Sequence, residues 1–259
     1  MEPTRTDHGE PRLDDIPASE RRWIGRELPR VEDPALVTGR TEFIDNASVP
    51  GMLYAAILRS PHAHARIVRI VARRALALPG VVAVLTGADV ARWSNPSGGY
   101  PEGTGLHCMA TDKAHYFGEP VAAVAACSRY VAEDALELIE VDYEPLPAVV
   151  DGRRAGDADA PRVHDTLPAN VAFARRFTWG EVDAAFAGAA RVVRESFRWN
   201  RVGANPIETF GCICQWDTLA DAVTIRAGVQ SPLLTALAIA GVLGLPSNRV
   251  RLISYQRGG

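Results

Sequence analysis

Downstream of residue 50 the chain alternates between two hydrophobic rhythms. Short runs rich in β-branched and apolar residues read as strands, and patches with apolar residues three and four apart read as helices. The stretch LYAAILRSPHAHARIVRI predicts two strands joined at Ser60-Pro61, in the manner of a hairpin. VARRALALPG predicts a short helix stopped by Pro79-Gly80, and VVAVLTGADV a buried strand followed by a helical turn. A second strand–helix–strand unit comes next. PVAAVAAC is its first strand and SRYVAEDALELI its helix. Ala132, Ala135, Leu136 and Ile139 share one face of that helix, and Ser128 is its N-cap. EVDYEPLPAVV is the closing strand and ends at two prolines.

The pattern divides the chain. Residues 1–24 are polar and proline-bearing and read as a disordered tail. Residues 25–150 hold an extended segment and then the α+β module just described. Within it, residues 94–118 are rich in Gly, Pro and Ser and predict a long surface or contact loop. Residues 151–180 are turn-rich and read as a linker. Residues 181–259 begin a second α+β module. EVDAAFAGAA predicts a short helix, and RVVRESFRWNR a strand with Val193, Phe197 and Trp199 to one side. GCICQW and AVTIRAGV predict two strands around the turn DTLAD. A helix from Pro232 to about Leu243 has Ser231 as N-cap and Gly244 and Pro246 as its stop. It is apolar all round, which predicts burial. A last strand, RVRLIS, leads to Gly258 and Gly259, where the pattern breaks off.

Composition narrows the class. The chain has 259 residues, 47% apolar and 23% charged, which suits a soluble globular protein. A net charge of −3 without a basic stripe gives no case for nucleic acid or an anionic membrane. No export signal opens the chain, and its longest apolar stretch, LLTALAIAGVLGL, falls short of the ~20 residues that span a bilayer. A cytoplasmic protein is expected. Four cysteines make no disulfide scaffold.

Candidate chemistry is sparse. No dinucleotide fingerprint, P-loop, zincin helix or nucleophile elbow is present. His62 and His64 in PHAHAR are spaced as a metal pair, yet packing histidines are the better reading because no third ligand is in view. Cys212 and Cys214 would share one strand face and are expected to be small buried hydrophobes. An iron–sulfur cluster needs more thiolates than they supply. Gln230, in AGVQSPLLT, falls between a strand and a helix N-terminus, where an amide can donate to an oxo or phosphate group or simply satisfy backbone. Glu208, in NPIETFGC, is a carboxylate among apolar residues, either a buried acid or the partner of an arginine such as Arg201.

Several segments, in order, resemble a known family. PRVEDPALVTGRTEFIDNASVPGMLYAAILRSPHAHARI, ALPGVVAVLTGADV and YFGEPVAAVAACSRYVAEDALELIEVDYEPLPAVVD resemble the opening of the molybdenum-binding large subunit of the xanthine dehydrogenase/aldehyde oxidase family. The large chain of aerobic carbon monoxide dehydrogenase is the most similar branch. RVGANPIETFGCICQWD, VQSPLLTALAIAGVLGLPSNRVRLIS and the closing Gly-Gly resemble the start of its cofactor region. The resemblance implies an α+β fold in which an α/β hammerhead domain precedes an incomplete molybdopterin-binding domain.

It also implies roles. Gln230 matches the family glutamine that hydrogen-bonds an oxo ligand of molybdenum. Gly258 and Gly259 match the first glycines of the Gly-Gly-Gly-Phe-Gly cofactor loop, although SYQRGG replaces the usual lead-in and Leu233 stands where a histidine is common. Glu208 matches a family position without a catalytic role. The implied cofactor is molybdopterin with molybdenum, in the cytosine dinucleotide form, with iron–sulfur and FAD centres on partner subunits. The family's base lies past the cofactor loop, so this chain is expected to be the N-terminal part of a molybdenum hydroxylase large subunit, inactive alone. A C-terminal half on a separate chain would complete it. The other expectation is a non-catalytic scaffold or truncated relic that binds partner subunits.

Overall fold

In a computed structural model, residues 17, 20, 23–24, 27–98, 103–200, 202–203, 205, 208 and 210–255 are described. The expected tail at 1–24 lies almost wholly outside them, and so do Arg201, Gly258 and Gly259. The chain forms two units, residues 1–42 and 43–259. The first contains the short helix α1 (Asp33–Val37), which has a proline in its first turn. Thr38 Oγ1 donates to the Pro34 carbonyl at its end.

In the second unit the strands β1 (Tyr54–Arg59), β2 (Ala65–Val71) and β3 (Val81–Thr86) come first, with α2 (Arg73–Leu76) before β3 and α3 (Gly87–Val90) after it. They are followed by β4 (Lys113–Ala114), β5 (Pro120–Ala126), α4 (Arg129–Leu136) and β6 (Glu140–Pro145). Two antiparallel sheets result, ordered β1-β5-β3 and β4-β2-β6. The Ser60-Pro61 turn therefore joins two sheets and closes no hairpin. A strand's alternation says which residues face inward but not which strand lies alongside.

Helix α4 lies on the first sheet. Ser128 caps it by accepting from Val131 N at 3.2 Å. Ala132, Ala135 and Ile139 are buried against Ala122, Val124 and Ala126. Alanines on both sides let helix and sheet approach closely, so this small core is dense. The expected helical face is borne out.

Residues 151–170 are a series of turns. Asn170 ties them together by donating to the carbonyls of Ala155 at 3.1 Å and Pro161 at 2.7 Å. Helix α5 (Val182–Ala187) forms as expected, but residues 191–200 form no strand. Val193, Phe197 and Trp199 stand 83%, 92% and 92% exposed. Their alternation is real; what is missing is a neighbouring strand to accept their backbone hydrogen bonds.

The third sheet is ordered β7-β8-β9, from β7 (Cys212–Asp217), β8 (Ala222–Ala227) and β9 (Val250–Ser254). β7 and β8 are antiparallel, β8 and β9 parallel, and α6 (Pro232–Leu243) crosses between the parallel pair. Val223, Ile225, Ala227, Val250 and Ala240 form the core beneath α6. The helix is not buried all round: Leu233 and Leu234 are exposed, and Ala240 is its one fully covered residue. Sheet and helix meet along one stripe, and nothing among the described residues covers the other side.

Candidate functional site

Parallel strands joined by a helix gather strand C-termini and the helix N-terminus at one edge of the sheet, the usual place for ligands in such units. Gln230 lies at that edge. It leaves β8 through Gly228 and Val229, is exposed, and directly precedes Ser231, the N-cap of α6. Ser231 makes no side-chain cap, and Pro232 occupies the first helical turn. The first helical hydrogen bond runs from Thr235 N to the Ser231 carbonyl, at 2.9 Å. The N–H groups of Leu233 and Leu234 therefore carry the positive end of the helix dipole with no acceptor inside the helix.

The chain leaving β9 runs beside this segment. Tyr255 N donates to the Ala227 carbonyl at 3.1 Å. Ser254 Oγ lies 3.1 Å from the Val229 carbonyl and 3.0 Å from that of Tyr255, with one proton to share between them. The exits toward Gln230 and toward residue 256 are thus held side by side. Gly258 and Gly259 lie outside the described residues.

Glu208 meets the same edge. A Cβ on Gly228 would stand 2.7 Å from its Oε1, so the carboxylate lies directly over that glycine. The structure brings Glu208 to Gly228, two residues before Gln230, which sequence reasoning did not foresee. Its proposed partner Arg201 lies outside the described residues. The opposite end of α6 is held by the first module. Asn95 Nδ2 donates to the Gly241 carbonyl at 2.9 Å and Asn95 N to that of Val242 at 2.7 Å. Gly244 closes the helix in the left-handed conformation, with φ 64°.

A neutral amide and unpaired helix N–H groups are donors without charge. They suit an oxo ligand, a phosphate or another oxygen-rich group, and so fit a pterin dinucleotide that carries its metal with it.

The histidines of PHAHAR are elsewhere. His64 is buried, with Nδ1 2.7 Å from the Pro147 carbonyl, and His62 packs edge-on against Tyr143 at 5.0 Å. Sequence reasoning also missed a polar cavity of about 200 Å³ between the 103–119 loop and residues 164–166. There Lys113 Nζ meets Asp165 at 2.9 Å, and His115 stacks on His164 with ring centroids 5.0 Å apart. Glu119 is buried and accepts from His115 N. Burial, then the nearby His115 and Lys113, lower the His164 pKa. The one available signal was that the chain's single lysine sits there.

Cys212 and Cys214 are exposed, which corrects the expectation of buried thiols. They occupy the sheet's outermost strand, where α6 does not reach over them. The interaction between the two neighbouring thiols lowers the Cys212 pKa and raises that of Cys214.

Comparison with known proteins agrees with this architecture. Residues 38–147 match the family model for the aldehyde oxidase and xanthine dehydrogenase a/b hammerhead domain, and residues 163–259 match that for the molybdopterin cofactor-binding domain. The chain is 35% identical to the carbon monoxide dehydrogenase large chain of Afipia carboxidovorans over 255 residues, 93% of this chain and 32% of that one. It is 35% identical to the nicotine 6-hydroxylase large subunit of Paenarthrobacter nicotinovorans over 248 residues, 94% of this chain and 30% of that one. Among solved structures, quinoline 2-oxidoreductase from Pseudomonas putida 86 superposes with a TM-score of 0.81 at 38% identity, over 91% of this chain and 30% of that one. The chain thus spans about a third of the length of these relatives. With a hammerhead domain leading into cofactor-binding residues, the chain belongs to the xanthine dehydrogenase/aldehyde oxidase family and corresponds to part of its large subunit.

Proposed function

We propose that the chain is the N-terminal part of the large subunit of a molybdenum hydroxylase that oxidises an aldehyde, an N-heterocycle or a similar small molecule. The observation that carries this is the edge of the third sheet, where Gln230, the first turn of α6 and the chain leaving β9 through Tyr255 converge. That edge lies inside residues matching a molybdopterin cofactor-binding domain. The names of the relatives, a carbon monoxide dehydrogenase, a nicotine 6-hydroxylase and a quinoline oxidoreductase, support the substrate class.

Bound molybdopterin, as the cytosine dinucleotide, supplies the two-electron chemistry at its metal. The chain's own task is orientation. Gln230 would offer its side-chain amide to the cofactor as a hydrogen-bond donor, and Gly258 and Gly259 would let the backbone approach the cofactor closely. The proton-accepting base and most cofactor contacts come from a C-terminal portion of the large subunit, in one polypeptide or as a separate chain. Iron–sulfur and flavin subunits then take the electrons, in a cytoplasmic complex. Among the described residues no helix is long and apolar enough to cross a membrane.

The test is to purify the chain from its native host with its bound partners and measure molybdenum and pterin per chain. Stoichiometric metal, together with a polypeptide that continues the cofactor loop, is the expected result. Gln230→Ala should then lower the metal and pterin retained while leaving the subunit complex assembled. A second reading has its own support. Leu233 and Leu234 on α6 are 72% and 67% exposed, as a partner-binding scaffold requires. A stable subunit complex free of molybdenum would overturn the hydroxylase reading and support the scaffold.

A further inference from the structure

β7 is an edge strand, and Cys212 and Cys214 sit two residues apart on it, so both thiols leave the same face. Ala227 and Ile225 lie opposite them on β8, already covered by the core beneath α6. Ile213, between the two cysteines, points to the other face and is buried. The pair thus stands on a paired strand, open to solvent.

Spacing decides what such a pair does. Two residues of extended strand separate the Cα atoms by about 6.4–6.8 Å. The Cβ atoms stay nearly as far apart, whereas a disulfide requires them within about 4.5 Å. The sulfurs can therefore turn toward each other but cannot join without bending the strand. An atom placed between them can take both. Cysteine sulfur is the side-chain donor that soft centres prefer, and both sulfurs are open to solvent. The remaining cysteines stand apart from this pair. Cys127 packs over Gly80, and burial pushes the Cys108 thiol up.

We propose that Cys212 and Cys214 form a two-thiolate site for a soft, thiophilic centre that bridges the two sulfurs, of the kind represented by trivalent arsenic. The inference is independent of the cofactor reading and survives its failure. Phenylarsine oxide is the probe, because its arsenic takes two thiols. Two arsenic–sulfur bonds form, the arsenic–oxygen bond breaks, and the oxygen leaves as water with both thiol protons. Arsenic remains trivalent throughout.

The experiment treats the purified chain with phenylarsine oxide in excess 2-mercaptoethanol, a monothiol that strips singly held adducts, and reads the intact mass. One phenylarsenic group per chain is expected, reversed by 2,3-dimercaptopropanol. Cys212→Ser and Cys214→Ser should each lose it, and the double variant Cys108→Ser/Cys127→Ser should keep it. Peptide mapping of the unmutated chain supplies a check free of folding defects: the adduct should protect Cys212 and Cys214, and no other cysteine, from iodoacetamide. An unmodified chain, an adduct retained by a correctly folded Cys212→Ser, or a Cys212–Cys214 disulfide formed by mild oxidation of the folded chain would overturn the proposal.

Discussion

Gly87 and Gly228 separate two kinds of tight contact. A Cβ on Gly87 would stand 1.9 Å from the backbone oxygen of Ala110, where neither side can yield without moving a strand connection. Gly87→Ala should destabilise the protein by about 3 kcal/mol. On Gly228 the obstacle is the far end of the Glu208 side chain, which can rotate away, so Gly228→Ala should cost about 1 kcal/mol. Urea unfolding of the two variants checks the difference; equal losses would mean that Glu208 is fixed as firmly as backbone. His164 supplies a test by pH. Its ring faces His115, Lys113, Glu119 and Asp165, and burial with His115 and Lys113 outweighs the carboxylates, so its pKa is lowered from 6.5. The docked ring binds fewer protons than a released one. The stability this ring adds to the docking of residues 164–166 is therefore fully present above pH 6.5 and is lost as the pH falls through the lowered value. An NMR titration should find His164 below 6.5, and Lys113→Ala should shift it upward. At this scale the position of Gln230 between β8 and α6 was legible, because a strand, a Ser-Pro helix start and a glutamine between them are local features. Glu208 over Gly228 and His115 on His164 were not, since each joins positions far apart in sequence that only the folded chain brings together.

Strands and helices were legible as elements, and their partners were not. Ser128, the alanine face of α4 and the Gly244 stop of α6 all follow from short-range chemistry, and each stands where the sequence places it. Residues 191–200 alternate like a strand and remain unpaired, because alternation describes a face and says nothing of a neighbour. Helix α6 has the same ambiguity in reverse: an apolar circumference shows how much surface wants cover, and only one stripe meets the third sheet. Its placement depends on Asn95 at its C-terminal end. Asn95→Ala removes one of the two anchoring hydrogen bonds and should cost about 1 kcal/mol. Hydrogen exchange should show faster opening of α6 with β1–β6 unchanged. Uniform acceleration across the second unit would mean that Asn95 supports more than this helix.

Across the second unit, order is unevenly distributed. The α4 core and the two sheets around it are densely paired, while the described residues between 171 and 211 carry one short helix and many exposed apolar side chains. Backbone without sheet or core cover opens with little free energy. Limited trypsin digestion should cut first at Arg175, Arg176, Arg191, Arg194 or Arg198, all of them exposed, and leave residues 43–170 resistant. Initial cleavage inside β5 or α4 would contradict this distribution.

The Ser60-Pro61 turn that joins two sheets has a consequence in time. β1 pairs only with β5, and β2 only with β4 and β6, so no two consecutive strands before β7 can pair. A nascent chain must reach Pro145 before β2 meets its last partner. At about 5–20 residues per second, a ribosome takes roughly 4–15 s to go from the end of β2 at Val71 to Pro145. For that interval β1 and β2 emerge with bare edges and apolar faces, and it is then, before any cofactor or subunit is relevant, that the chain most depends on chaperones.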